Sequence, residues 1–252
     1  MRRSLLIAFL ITVSMILSLP IFGQSTKLKS YSGQRPNPRI HPYTHLLKET
    51  GPKPATQTRG DNYEKLLVIL VDFQAEEPDN PNTTGNGKFQ LTPDPDYLYP
   101  VGAPPHDREY FEANMDAMKY YYRAVSVESY HLQYDVWPKD KAAYTLPNPM
   151  AYYNPPGASS SLFVSGMEEY FKTAFETADQ DDPEIDFSAY GHYMIIHAGS
   201  DWQHDTLSDT PSDIPSFFIR VGEGKQAIVD NGNTEIFHAC NVPETISQDF
   251  QS

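Results

Sequence analysis

MIIHAGSDWQHDTLSDTPSDIPSFF, residues 194–218, joins two strand-like runs through an acidic loop. Tyr193 to His197 is an apolar run of strand length, and Ser216 to Val221 is another. Between them Asp201, Asp205, Asp209 and Asp213 recur every four residues, but Pro211 and Pro215 forbid the helix that this spacing would otherwise suggest. The stretch therefore predicts strand, loop, strand. Carboxylates gathered on such a loop could offer oxygen ligands to Ca²⁺, with Asp201, Asp205 and Asp209 as candidates. Asp179, Asp181, Asp182 and Asp186 form a second acidic set. Neither set carries the Gly and terminal Glu of the twelve-residue calcium loop, and turns and helix caps are the competing role for all of them.

Upstream, Lys65-Leu-Leu-Val-Ile-Leu-Val-Asp72-Phe73 is continuously apolar and rich in β-branched residues, as a strand buried on both faces requires. The polar stretch from Gln74 to Pro105 reads as a surface excursion, its Asn82-Thr83-Thr84 triplet a chance glycosylation-type match. From Asp107 to Ser126, Tyr110, Phe111, Met115, Met118, Tyr121, Tyr122 and Val125 fall at helical spacing, predicting a helix with an aromatic inner face and Asp107 as its N-cap. Tyr130 to Trp137 alternates with period two and ends at Pro138, a half-buried strand. A proline-rich loop, residues 147–156, leads to a second amphipathic helix over Ser160 to Ala178. Shorter strands are expected at Gln226 to Val229 and Glu235 to Ala239. Alternating helices and strands predict an α/β fold with a mixed sheet.

Residues 1–23 combine Arg2 and Arg3, an apolar run from Leu5 to Leu19 and a small Gly23, the pattern of a secretory signal peptide. Export to the extracellular side follows, with no membrane attachment after cleavage. Residues 24–60 are basic and proline-punctuated, a linker or pro-segment, and residues 61–252 are the body. The net charge of −14 is uneven: residues 25–60 hold seven Lys or Arg against Glu49, while residues 61–252 hold ten basic and thirty-two acidic side chains. Such a body repels phosphate, which excludes nucleic acid as a partner. Cys240 is the one cysteine, so burial must replace the usual extracellular disulfides, and bound ions could add to it.

The eight histidines are His41, His45, His106, His131, His192, His197, His204 and His238, and none begins a His-Glu-x-x-His pair. His192 and His197 are five apart on one strand, so they point to opposite faces. His197 and His204 could converge through the turn, with Asp201 or Asp205 as a third zinc ligand, against ordinary capping roles. No Gly-x-Ser-x-Gly elbow supports a serine hydrolase.

Five blocks in order resemble the immune inhibitor A type of secreted zinc metalloproteases. They are Leu67 to Phe73; Met118 to Ser126 with Leu132 to Pro138; Asp186 to Tyr190; Ile195 to Gly199 through Ser216; and Val242 to Asp249, which looks like the last loop before that family's zinc helix. The resemblance implies a zincin-like domain acting on protein or peptide substrates. It also implies a helix whose two His hold zinc while the intervening Glu deprotonates the metal-bound water. With no such helix among the 252 residues, the chain is expected to be the incomplete N-terminal part of the catalytic domain, inactive alone, with zinc ligands outside it. The alternative is a non-catalytic secreted binding module derived from the same fold.

Overall fold

The computed structural model describes residues 62–94, 102–205 and 207–245. The expected signal peptide and basic segment lie outside the described residues. The chain divides into two units, Met1–Gln57 and Thr58–Ser252, and every described residue belongs to the second.

β1 (Asn62–Asp72) is the apolar run, and both of its faces are covered. Leu67, Ile69 and Val71 enter one core cluster, while Leu66, Val68 and Leu70 enter another on the opposite face. The period-two side-chain alternation of a strand makes that division. β1 pairs in parallel with β2 (Tyr130–Trp137) on one edge and with β4 (His192–His197) on the other. β3 (Tyr144–Thr145) continues the β2 side along the end of β1. β8 (His238–Pro243) lies parallel to β4, and β5 (Phe217–Arg220) closes the sheet antiparallel to β8. The order is β2-β1-β4-β8-β5, a mixed sheet in an α/β fold. β6 (Ala227–Val229) and β7 (Thr234–Ile236) form a separate hairpin.

α1 (Arg108–Val125) starts where Asp107 accepts the Tyr110 N–H at 3.0 Å, a cap that satisfies one of the helix's orphan donors. Its Phe111 and Met115 pack on Leu66, Val68 and Leu132. The expected aromatic inner face holds only for the first half of the helix. Tyr121 is 62% exposed and Val125 58%, because no described element covers the last turns. α2 (Met150–Tyr153) is a single turn inside what the sequence suggests is loop, anchored by buried Met150 and Tyr153. α3 (Ser160–Asp181) lies on the other face of the sheet, burying Met167, Tyr170, Phe171, Ala174, Phe175 and Ala178. Burying each large apolar side chain contributes roughly 1.5–3 kcal/mol before entropy is counted. Gly166 lets α3 sit on α2, since a Cβ there would lie 2.1 Å from the Tyr153 carbonyl oxygen.

The strand expected over Glu235 to Ala239 is two strands in different sheets, β7 and β8. β8 runs to Pro243 and extends into residues read from sequence as loop. The Glu244 N–H then donates to the His197 carbonyl at 2.7 Å, continuing the pairing past the proline. The excursion after β1 is also less superficial than its composition suggests, since Thr83, Thr84 and Phe89 are buried.

Candidate functional site

The parallel strands β1, β4 and β8 end on one side of the sheet, where open α/β sheets place their ligand sites. A cavity of about 570 Å³ opens there, lined by Gly102, Asp201, His204, Ser216, Glu244 and Thr245 among others. Asp201 is fully buried. Its carboxylate accepts the His204 backbone N–H at 3.2 Å, the His204 ring Nδ1–H at 2.5 Å and the Ser216 hydroxyl. That bond fixes the proton of a neutral His204 on Nδ1 and leaves Nε2 with its lone pair, the form suited to a base or a single metal ligand. Asp201 stands between Ser216 and His204, so it does not make His204 a base for that serine.

Of the residues proposed from sequence, the structure brings Asp201 and His204 together and leaves the rest apart. His197 is on the α3 face, fully buried, its ring edge-on to Phe73 at 6.4 Å between centroids. Its Nδ1 lies 2.9 Å from the Ala198 carbonyl, and its Nε2 has no partner among the described residues. Burial lowers its pKa to about 4, the Ala198 carbonyl and the Asp201 charge offsetting that only in part. His192, as expected from the odd spacing, lies on the opposite face, exposed beside Glu64. Asp205 accepts the N–H groups of Asp209 and Thr210, a turn-forming role, and Asp209 is exposed.

The second acidic set is dispersed too. Asp179 accepts from the Asp230 N–H, Asp181 pairs with Lys141, Asp182 accepts from Tyr144, and Asp186 accepts from Ser188. Among the described residues no group of three or more His, Cys, Asp or Glu converges as metal ligands would.

Two buried carboxylates that the sequence did not single out as a pair of clamps hold the loops around this cavity. Asp213 accepts the Thr84 N–H and hydroxyl, each at 2.6 Å. Burial pushes its carboxyl up to about 6, with the two Thr84 donors holding it back. Glu244 accepts from Gln90 N–H at 2.7 Å and Gly199 N–H at 2.9 Å, and its Oε1 lies 2.6 Å from His106 Nδ1. Gly199 is at φ +87°, and a Cβ there would lie 2.9 Å from the Thr84 carbonyl oxygen, so glycine is required on both counts.

Among the described residues, the α1 face of the sheet is covered across only half its width. Val136, Val68, Met194, Cys240 and Phe218 stand in register across five strands. Val68 is 0% exposed beneath α1, Met194 and Cys240 are partly exposed, and Phe218 is 64% exposed. Met118, Tyr122 and Val125 of α1 form the other wall of the resulting groove, about 520 Å³ in volume and continuing alongside the first cavity, with which it shares α1, β4 and β8. Met118, Tyr122 and Val125, read from sequence as part of a core stripe, thus line an open groove.

Among the described strands β5 lies at the edge of the sheet. The Val221 N–H bonds the Phe237 carbonyl, so antiparallel alternation turns the peptide groups of Phe218 and Arg220 away from β8. At Ser216 the outward N–H and C=O are taken by the Gln203 carboxamide, at 2.8 and 2.6 Å, as a neighbouring strand would take them. Beside this edge, Phe163, Met167, Trp202, Phe217 and Ile219 line an apolar pocket of about 360 Å³.

The chain matches no family model and no curated protein sequence. Among the described residues no helix is long and apolar enough to cross a membrane.

Proposed function

We propose that this chain supplies the sheet-bearing part of a secreted zinc metalloendopeptidase domain of the zincin kind, and that the α1-side face over β4, β8 and β5 is the seat of a second, metal-carrying helix. The observation that carries the reading is the half-covered apolar row ending in Phe218. Three adjacent strands span two interstrand spacings, about 10 Å, which is the width of one α-helix with its side chains. A helix laid there would run beside α1 and bury Met194, Cys240, Val242 and Phe218. It would also bring its side chains to the cavity that holds Asp201, His204 and Glu244.

Zinc would be held by two His of that helix and a third ligand, with its Glu beside the metal-bound water, so the metal ligands proper lie outside the present residues. His204, its ring oriented by Asp201, lines the cavity that this helix would reach. When bound, the metal supplies a nucleophilic water and polarises the scissile carbonyl. The chain's own part is to receive an extended substrate. The open groups of Phe218 and Arg220 can pair with a peptide backbone, and the pocket beside Trp202 can take an apolar side chain.

The test is to read the gene through codon 252 and produce the longer polypeptide. One bound zinc per chain, and casein cleavage abolished by a strong chelator and by Glu→Gln in the new His-Glu-x-x-His, support the proposal. A downstream sequence with no such motif in any frame, or a longer product that binds no zinc, overturns it.

A further inference from the structure

His106 is buried between two groups that only accept. Its Nδ1 lies 2.6 Å from Glu244 Oε1 and its Nε2 lies 2.8 Å from the Gly102 carbonyl. A neutral imidazole has a single N–H, so only the doubly protonated ring can donate to both. Loss of the proton must turn a lone pair toward one of these oxygens. The structure says which one yields. Glu244 is anchored on three sides, by the Gln90 and Gly199 N–H groups and by the end of β8, where its own N–H bonds the His197 carbonyl. Gly102 holds to the ring through its carbonyl.

We propose that His106 is a proton-operated clasp: as imidazolium it holds Gly102 against the wall of the 570 Å³ cavity, and on losing its proton it keeps Glu244 and releases Gly102. The charged and titratable groups facing the ring are Glu244 from the end of β8, Asp107 at the N-cap of α1 and Tyr110 of α1, whose ring centroid is 4.7 Å away. Asp201 and His204 line the same cavity. Burial alone would lower the His106 pKa, but the Glu244 carboxylate, the Gly102 carbonyl and the Asp107 charge together raise it above 6.5. The clasp is therefore closed in acid and opens as pH rises through the raised His106 pKa. It acts on a residue that lines the cavity whatever the cavity binds, and so stands apart from the zinc reading.

The experiment is a pH titration of the full chain by NMR. The His106 ring nitrogens are expected to report a midpoint above 6.5 at which Nε2, not Nδ1, loses its proton. The Gly102 carbonyl shift is expected to move with the same midpoint, and relaxation of its amide by a soluble paramagnetic probe to rise at least twofold. In His106→Gln the pH-dependent step at Gly102 disappears. A ring midpoint at or below 6.5, loss of the Nδ1 proton instead, or a Gly102 carbonyl that ignores the His106 titration overturns the proposal. The wild-type titration decides even if the variant does not fold.

Discussion

Acidification should weaken this fold through His197 before most carboxylates are protonated. The ring is fully buried on the α3 face, against Phe73, and stays neutral to about pH 4. An unfolded chain takes up that proton near 6.5, the ordinary value. Between the two values the unfolded state binds more protons than the folded one, so stability rises with pH across the window and is lost as pH falls from 6.5 toward 4. At about 1.4 kcal/mol for each tenfold change in proton affinity, the loss from this one group is about 3 kcal/mol. For a domain of this size that lowers Tm by on the order of 10 °C. The perturbation is His197→Phe, which keeps a ring of similar volume and removes the titrating group. Urea melts of wild type and variant at several values between pH 4 and pH 7.5 give the difference directly. The variant should lose about 3 kcal/mol less than wild type over that interval. Equal losses in the two proteins would refute the reasoning, since other groups would then carry the whole acid response.

Three further outcomes follow from particular contacts. Gly199→Ala, at φ +87° and against the Thr84 carbonyl, should cost about 1–3 kcal/mol in urea unfolding, whereas Gly224→Ala, which has open space, should cost only its backbone strain. Thr84→Val removes the hydroxyl that bonds Asp213 and leaves a buried carboxylate short of a donor, a loss of about 1–3 kcal/mol at pH 7.5 that shrinks in acid as Asp213 takes a proton. Phe218→Ser should change stability by no more than about 0.5 kcal/mol, because the ring is 64% exposed, yet it should reduce binding of a hydrophobic dye by the folded chain.

What the sequence made legible was local. The run from Leu66 to Val71 announces a doubly covered strand because every side chain in it is apolar, and α3 announces itself through a stripe that is buried along its middle turns. β8 gave no such signal: His238-Ala-Cys-Asn-Val-Pro243 is short, part polar and ends in proline, and its place in the sheet comes from pairing with β4, over forty residues away. The stripe of α1 misled for a physical reason. Periodicity marks a face that is apolar, and it does not say whether that face is covered in this chain. At the site, Asp201 and His204 were legible as neighbours in a turn. His106 with Glu244, and Thr84 with Asp213, join residues more than a hundred positions apart, and only the folded sheet brings them together.

Cys240 offers the most direct test of the account, because this thiol lines the groove assigned to the metal-carrying helix. Its labelling by a small thiol reagent would be timed in the folded 252-residue chain and in the longer product read through codon 252, at one pH. The account predicts ready labelling in the first and at least tenfold slower labelling in the second, reversed when the added helix is deleted. Equal rates in two folded proteins would contradict it, since the face said to receive the helix would then be open in both.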